Sequence, residues 1–381
     1  MNAPIIAPER ITLDDSAPEA AADDLPSTKP RINSRQSTST PSVSESNEIQ
    51  SRNIWNWLFS DSFSASQSRD EEDSYDWARV IPFVLLHVAC FGVIWVGVSS
   101  AAVITAIGLY LFRMFAITAF YHRYFSHRSF RTSRPFQFVM ACMACTAGQR
   151  GPLWWAVHHR WHHKHSDEDQ DLHSPSLLGF VRSHMGWFLT KSAFSTPKKL
   201  VGDWYRYPEL RLINRLDWVP LILLGVATFL FGSFLASYYP SLGTNGPQML
   251  VWGFFISTVV LYHATYTINS LAHRFGHRRF KTSDDSRNNF ALAILTLGEG
   301  WHNNHHHYPA SARQGFYWWE IDITYYVLKA MSWTGLIWSL KPVSERALHR
   351  NLVKGNLVKG NHAEENLAAN SPDSHSKGHT R

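Results

Sequence analysis

Cysteine is scarce in this 381-residue chain: there are three, Cys90, Cys142 and Cys145. Three thiols exclude a disulfide-stapled secreted fold and are too few for a thiolate-built zinc or iron–sulfur site. Charge is thin too, at 17% of residues, and whole stretches lack it. Between Val80 and Phe112 there is no Asp, Glu, Lys or Arg, and Arg113 is the only one before Arg123. From Trp218 to His273 there is again none. No basic n-region precedes an apolar run at the N-terminus, which argues against a signal peptide. What is abundant is apolar residues (45%), tryptophan (16) and histidine (21).

The uncharged runs set the fold class. A bilayer core about 30 Å thick takes roughly 20 apolar residues at 1.5 Å each. The run after Trp218 holds two spans and a Pro-, Gly- and Ser-rich connector around 237–247, and the earlier run holds two spans joined by a turn near Gly97–Ser100. The expectation is an all-α integral membrane protein with four transmembrane helices in two hairpins, near 80–98, 101–121, 218–236 and 249–270. The bland alternative, two buried hairpins of a soluble protein, rarely needs uncharged runs this long. Mean hydropathy is −0.21 only because the flanking segments are polar.

Basic residues decide orientation. Neither inter-helix turn carries one, whereas 122–217 and the segment after His273 carry many, among them Arg123, Arg128, Arg131, Lys164, Lys198, Arg274 and Lys281. Both termini and a helical cap (122–217 with 273–344) are expected on the cytoplasmic side. The net charge of +6 and pI near 9.2 suit anionic lipid headgroups or an acidic partner. No nucleic-acid motif is present. Trp154–Trp155 and Trp318–Trp319 suit the membrane interface or ordinary core packing equally.

The ends read differently. Residues 1–76 are dense in Ser, Thr, Pro, Asp and Glu without hydrophobic periodicity, and are expected to be a disordered cytoplasmic tail. Within it, IWNWLF (54–59) is either an interfacial anchor or a chance cluster. The membrane domain is placed at 77–344 and a polar tail, containing NLVKG twice in tandem (351–360), at 345–381. Cys142 and Cys145 form a CxxC that reads as small buried side chains, since no thioredoxin-like βαβ pattern surrounds it.

Histidine carries the chemistry. HRYFSH supplies His122 and His127 at the exit of the second span. HRWHH supplies His159, His162 and His163, and HNNHH supplies His302, His305 and His306. The i, i+3, i+4 spacing sets three imidazoles on one helical face. NSLAH adds Asn269 and His273 where the fourth span ends. One such box is weak evidence of metal; several at the mouths of spans on one side are strong, and so many imidazoles exceed one ion's coordination. Imidazole suits Zn, Cu, Fe or Ni. HExxH of zinc proteases is absent, and the soluble di-iron Glu-x-x-His pattern matches only at Glu299–His302. Asp167, Glu168, Asp169, Asp171 and Glu299 are candidates to orient the rings or simply to solubilise the surface.

Together, HRYFSH, HHRWHHKHSD, the 173–187 segment, NSLAHRFG and GEGWHNNHHHYP resemble the integral-membrane fatty acid desaturase family, in its stearoyl-CoA-type Δ9 branch and bacterial-like form, from about Phe112 to Ser344. The resemblance implies a His-rich di-iron site: two Fe ions held by His122, His127, His159, His162, His163, His273, His302, His305 and His306, with Asn269 contributing through a water. His158, His165 and His307 are extra neighbours. It also implies O2-dependent removal of two vicinal hydrogens from a saturated acyl chain, leaving a cis double bond, most simply at Δ9, and water.

No HPGG and no flavin or NAD fingerprint is present, so two electrons are expected from an external ferredoxin- or cytochrome b5-like donor on the basic surface. The substrate is expected to be an acyl-CoA or an acyl-lipid, seated in an apolar tunnel. Val157 and His158 stand where animal members have an Arg-Asp pair, which weakens the case for a CoA headgroup contact there and keeps acyl-lipid as a live alternative. Tyr110, about three turns before His122, Arg150 and Trp155 are candidate substrate contacts, Tyr110 as a limit on tail length or as plain packing. Arg113, deep in the second span, is either functional, snorkelling or turned toward the cap. Competing readings are a membrane di-iron hydroxylase of lipids or alkanes and a non-catalytic membrane metal-binding protein. A cation transporter is disfavoured by the lack of acids in the spans.

Overall fold

The structure, a computed structural model, describes residues 74–353. Helices α1 (Trp77–Val96) and α2 (Ser100–Ser126) form a first membrane hairpin. Cap helices α3 (Arg134–Cys145), α4 (Pro152–His165) and α5 (Pro208–Arg215) follow. A second hairpin is made by α6 (Trp218–Tyr238) and α7 (Gly246–Ser270). The chain returns to the cap with α8 (Phe290–Leu295), α9 (His302–His307), α10 (Ile323–Trp333) and α11 (Glu345–His349). Among the described residues the one sheet is an antiparallel pair, Arg131–Thr132 with Ile337–Trp338.

Local chemistry sets the hairpin ends. Asp76 caps α1 by accepting from the Ala78 amide at 3.1 Å, and Ser99 caps α2 through the Ala102 amide at 3.2 Å. Between them Gly97 adopts φ 66°, a turn that a side chain would strain. Asn245 caps α7, and Gln248 one turn on donates to the Val96 carbonyl at 2.8 Å while accepting from Ser99 Oγ at 2.6 Å. This amide ties the two hairpins at one end. Along the bundle, α1 buries no residue, and Ile81, Leu85, Val88, Phe91 and Trp95 stand outward with Ile222, Leu223, Val226 and Leu230 of α6. Apolar faces of that extent are solvated by acyl chains, so the protein is an integral membrane protein.

Arg113 neither snorkels nor turns to the cap. Fully buried, it donates to the Leu109 carbonyl at 3.1 Å, Thr258 Oγ1 at 2.7 Å and Ser257 Oγ at 2.5 Å. The hydroxyls facing it from α7 are what hold it inside.

Helix α2 runs to Ser126 rather than stopping near 121. Its last stretch, Ala116–Ser126, is wound in wide π turns and wholly buried, so protein rather than lipid surrounds it and the helix has no reason to end at the membrane boundary. Phe120, Tyr121, Tyr124 and Phe125 pack there against Met140, Leu153 and Trp204. Cys145 belongs to the same core, its Sγ 3.2 Å from the Tyr121 hydroxyl oxygen.

Two further contacts aim α4. Asn214 of α5 caps it from outside, its Oδ1 accepting from the amides of Leu153 (3.0 Å) and Trp154 (3.1 Å). A Cβ at Gly151 would lie 2.4 Å from that oxygen, which is why glycine stands there. Arg160 bonds the last carbonyls of α2, Phe125 and Ser126, and both oxygens of Asp203. The described chain continues past 344: α11 follows, and Leu352 pairs with Phe280. Residues 1–73, including IWNWLF, and 354–381, with the end of the first NLVKG copy and all of the second, lie outside the described residues.

Candidate metal centre

The four histidine segments reach one place from separate elements. His122 sits in the π-wound end of α2 and His127 just past it; His159, His162 and His163 share one face of α4. His273 follows α7, and His302, His305 and His306 lie on α9. Their nitrogens sort into two groups, each within 4.8 Å. One is His122, His127, His159, His163 and His305; the other is His162, His273, His302 and His306. All nine expected histidines are thus brought together, five and four. Asn269, one turn before His273, lines a cavity beside them.

The contacts are nitrogen to nitrogen. His122 Nε2 lies 2.9 Å from His305 Nε2, which lies 2.7 Å from His163 Nε2. His159 Nε2 is 2.8 Å from His127 Nε2 and 3.0 Å from His163 Nε2. His273 Nε2 and His302 Nε2 are 3.0 Å apart. Outer nitrogens are held by acids: His273 Nδ1 meets Asp167 at 2.8 Å, His162 Nδ1 meets Asp171 at 3.1 Å, His306 Nδ1 meets Asp284 at 2.7 Å and His122 Nδ1 meets Glu299. A neutral ring whose Nδ1–H faces a carboxylate presents a bare lone pair at Nε2. Lone pairs aimed at one another, with His306 Nε2 buried and unbonded, are a donor set that fits cations.

Electrostatics agree. Burial first, and mutual repulsion second, hold His127, His159, His163, His302 and His305 well below the ordinary imidazole range. Burial likewise brings His158 and His162 to about 3. Burial alone would raise Asp167, Asp171 and Asp284, yet the facing imidazoles and hydrogen bonds keep all three below the usual carboxylate range. The site is built to keep imidazoles neutral and carboxylates ionised.

Of the acids singled out from sequence, Asp167, Asp171 and Glu299 orient rings. Glu168 reaches only His165, at 3.2 Å, and Asp169 is exposed. Asp284 was not anticipated. It sits in KTSDDS beside Asp285, and nothing local distinguishes the acid that turns inward. Gln314 and Arg123, which bond Glu299, were also missed. The extra histidines are structural: His158 bonds the Ser195 carbonyl at 3.2 Å, and His307 stacks on Phe280 and bonds the Ala347 carbonyl at 2.8 Å.

A cavity of about 680 Å³ runs between α1, α6, α7 and α4 to His159 and Asn269. Phe83, Leu86, Leu221, Ile222, Tyr262 and Tyr266 make its apolar wall, and Arg79, Gln149, Arg150 and Asp217 give it polar groups. Trp155 lines it and stacks on His159 with ring centroids 5.0 Å apart. Tyr110 does not line it: its hydroxyl turns to the Leu295 carbonyl of α8, at 2.5 Å.

Comparison with known proteins gives the same direction. The fatty acid desaturase family model matches residues 68–336. The chain is 35% identical over 269 residues to an sn-1 stearoyl-lipid 9-desaturase of Anabaena variabilis, covering 70% of this chain and 94% of that protein. It is 35% identical over 263 residues to an acyl-CoA 5-desaturase of Anemone leveillei (68% and 78%). To a hex-5-enoyl-[acyl-carrier protein] acetylenase of Moorena producens (strain JHB) it is 34% identical over 276 residues (69% and 84%). With its four apolar helices and paired histidine groups, the chain belongs to the fatty acid desaturase family.

Proposed function

We propose that this membrane acyl desaturase seats a saturated acyl chain in the cavity beside His159 and introduces a cis double bond near C9, using O2 and two electrons from a separate carrier. One iron is assigned to His122, His127, His159, His163 and His305. The second is assigned to His162, His273, His302 and His306, with Asn269 acting through a water. When bound there, the iron pair supplies the oxidising power that side chains lack. The chain's own residues do the rest. Asp167, Asp171, Asp284 and Glu299 fix ring orientation, and the apolar wall keeps bulk water from the reacting methylenes.

The observation that carries this reading is that a largely apolar cavity of about 680 Å³ reaches the histidine groups at His159, with Asn269 beside them. Arg150, Trp154, Trp155, His158 and His159 all line the cavity. Arg150 lies just before α4 begins at Pro152 and His159 lies on α4, so the two meet the cavity at different places. Arg150 is accordingly assigned to the polar head of the substrate and Trp155 to the chain near the reacting carbons.

Relatives of near-equal identity are named for acyl-lipid, acyl-CoA and acyl-carrier-protein substrates. Lipid-borne or CoA-borne chains both suit a polar end made of Arg79, Gln149, Arg150 and Asp217. The basic segments after α2 and α7 support a cytoplasmic cap, where an acidic ferredoxin- or cytochrome b5-like carrier would dock. The test is expression in a host whose lipids lack monounsaturates, followed by fatty-acid methyl ester analysis. A new cis-monoene is expected. Hydroxylated product would move the protein to the hydroxylase reading, and normal monoene from a His159→Ala/His305→Ala double variant would overturn the metal assignment.

A further inference from the structure

Three histidines outside the nine come from three parts of the chain and stand in file. His87 on α1 places Nε2 3.1 Å from His263 Nε2 on α7. His263 Nδ1 lies 3.1 Å from Nε2 of His184, in the cap, and His184 Nδ1 lies 2.9 Å from Ser270 Oγ at the end of α7. At the other end His87 Nδ1 is 2.7 Å from the Phe83 carbonyl. Every ring nitrogen is engaged.

Hydrogens can be counted along this file. The Phe83 carbonyl can only accept. The Ser270 hydroxyl donates to the Tyr266 carbonyl at 3.0 Å, and while it does so it can only accept from His184. With both ends accepting, the contacts at Phe83, between the rings and at Ser270 need four N–H groups, whereas three neutral imidazoles carry three. One additional proton completes the file. If that proton leaves, Ser270 turns from Tyr266 to donate to His184 Nδ1, and every contact is again satisfied. The two states therefore differ by one proton and one hydroxyl rotation. Ionisable groups in membrane helices are expensive, and histidine chains there are a recurrent form of proton relay. The other titratable group packed on the file is Tyr266, whose ring meets those of His184 and His263.

We propose that His87, His263 and His184 form one proton-binding unit that holds a single proton beyond three neutral imidazoles, the Ser270 hydroxyl turning from the Tyr266 carbonyl to His184 when that proton is given up to solvent. Its use rests on the desaturase reading. Conversion of –CH2–CH2– to –CH=CH– with O2, two electrons from the carrier and two protons gives two waters, so each turnover draws protons into a site walled from bulk water. Ser270 adjoins Asn269, which lines the cavity reaching His159.

The experiment counts protons on the full chain in bilayers, loaded with zinc so that the nine assigned ligands stay occupied. Potentiometric titration and ¹⁵N spectra of histidine-labelled protein are compared for the unchanged protein, His263→Phe and Ser270→Ala. Ser270→Ala barely alters packing but removes one terminal acceptor, so three N–H groups then suffice. Both variants are expected to bind one proton fewer at neutral pH and to lose one imidazolium signal. Equal proton counts, or no imidazolium in the unchanged protein, would overturn the proposal. In the iron-loaded enzyme Ser270→Ala is expected to lower kcat by about 10²-fold with KM unchanged. Absence of any desaturated product from the unchanged protein would instead sink the desaturase reading and leave the proton count standing.

Discussion

His122 and His305, 183 positions apart in sequence, point Nε2 at Nε2 across 2.9 Å in a buried pocket. Glu299 holds the far nitrogen of His122, so the near one carries a lone pair, and two such groups gain little from facing one another alone. A cation shared by the group converts that opposition into binding energy. Metal should therefore stabilise the fold by about 2.7 kcal/mol per site at a free concentration a hundred times Kd. Chelation is expected to lower Tm by several degrees, with scanning calorimetry as the check. An unchanged Tm after complete metal removal would count against the donor set.

Asp284 touches one ring only, His306 Nδ1, at 2.7 Å. Asp284→Asn keeps size but removes the charge that fixes this ring's tautomer, which typically costs 10- to 100-fold in metal affinity. The expected result is a selective loss: one ion weakened by that factor, the other, held by the His122 group, unaffected. Stoichiometric zinc titration by calorimetry distinguishes this from a general collapse of binding.

The sequence made the spans legible because charge exclusion from a bilayer is a one-dimensional constraint. It made six of the nine histidines legible because i, i+3, i+4 spacing on a helix is local, whereas the full set of nine came from the resemblance to the desaturase family. What it could not show is partition. That His162 sits apart from its neighbours His159 and His163, in the group of His273, depends on how α4 rotates against α9. Asp284 was hidden for a similar reason, since the neighbouring Asp285 looks the same and only tertiary packing selects between them. The end of α2 was misplaced because lipid was assumed where the cap core surrounds the helix. Tyr110 was placed by its distance along α2, and its direction, toward Leu295, was not available from spacing.

Arg113 offers a test of what a buried charge contributes here. Its partners are hydroxyls that themselves donate to α7 carbonyls, those of Gly253 and Phe254, so removing the guanidinium leaves no hydroxyl without a partner. Replacing a buried charge by an apolar side chain of similar volume is often neutral or stabilising. Arg113→Met is expected to leave Tm unchanged or raised. Thr258→Val, which strands a buried guanidinium N–H, is expected to cost about 1–3 kcal/mol. Unfolding measured on both variants in one detergent gives the comparison, and the reverse order would show that the charge itself holds α2 to α7.

Acid should unfold the protein from the metal site outward. His158 and His162 titrate near 3 in the fold, against 6.5 for a free imidazole, because burial disfavours their charged forms. Below pH 6.5 the unfolded chain binds protons that the folded chain refuses, so stability rises with pH between about 3 and 6.5 and levels off above. Asp167, Asp171 and Asp284, held below the ordinary carboxylate value, add a loss in the same direction under more acidic conditions, below about 3.8. Chelated protein is expected to lose Tm steadily from pH 7 to pH 5. Metal-loaded protein should resist at first and then fall more steeply as protons displace the ions. A flat Tm across this range would mean that these rings are solvated.

Arg150 adopts φ 70°, a left-handed backbone that costs an L residue about 1–2 kcal/mol and costs glycine almost nothing. The Tyr121 hydroxyl grips its carbonyl at 2.5 Å, and its guanidinium lies 4.4 Å from the Phe194 ring centroid and 3.7 Å from Asp217, on the cavity wall. Strain retained at such a place calls for a reason in the side chain. If that reason is the substrate's polar head, Arg150→Gly separates stability from function. Relief of strain offsets the lost cation–π contact, worth about 0.5–1 kcal/mol, while Asp217 loses the guanidinium 3.7 Å away, so Tm should hold or fall only modestly. KM should increase about tenfold for the loss of one charge-assisted hydrogen bond. Arg150→Lys keeps the charge without the planar fork and should fall between. The double bond supplies a second readout. A head no longer pinned can slide, so gas chromatography of the products should show positional isomers beside the main one. A single isomer with unchanged KM would remove Arg150 from substrate binding and leave its strained backbone to be explained by packing against Phe194 and Trp154.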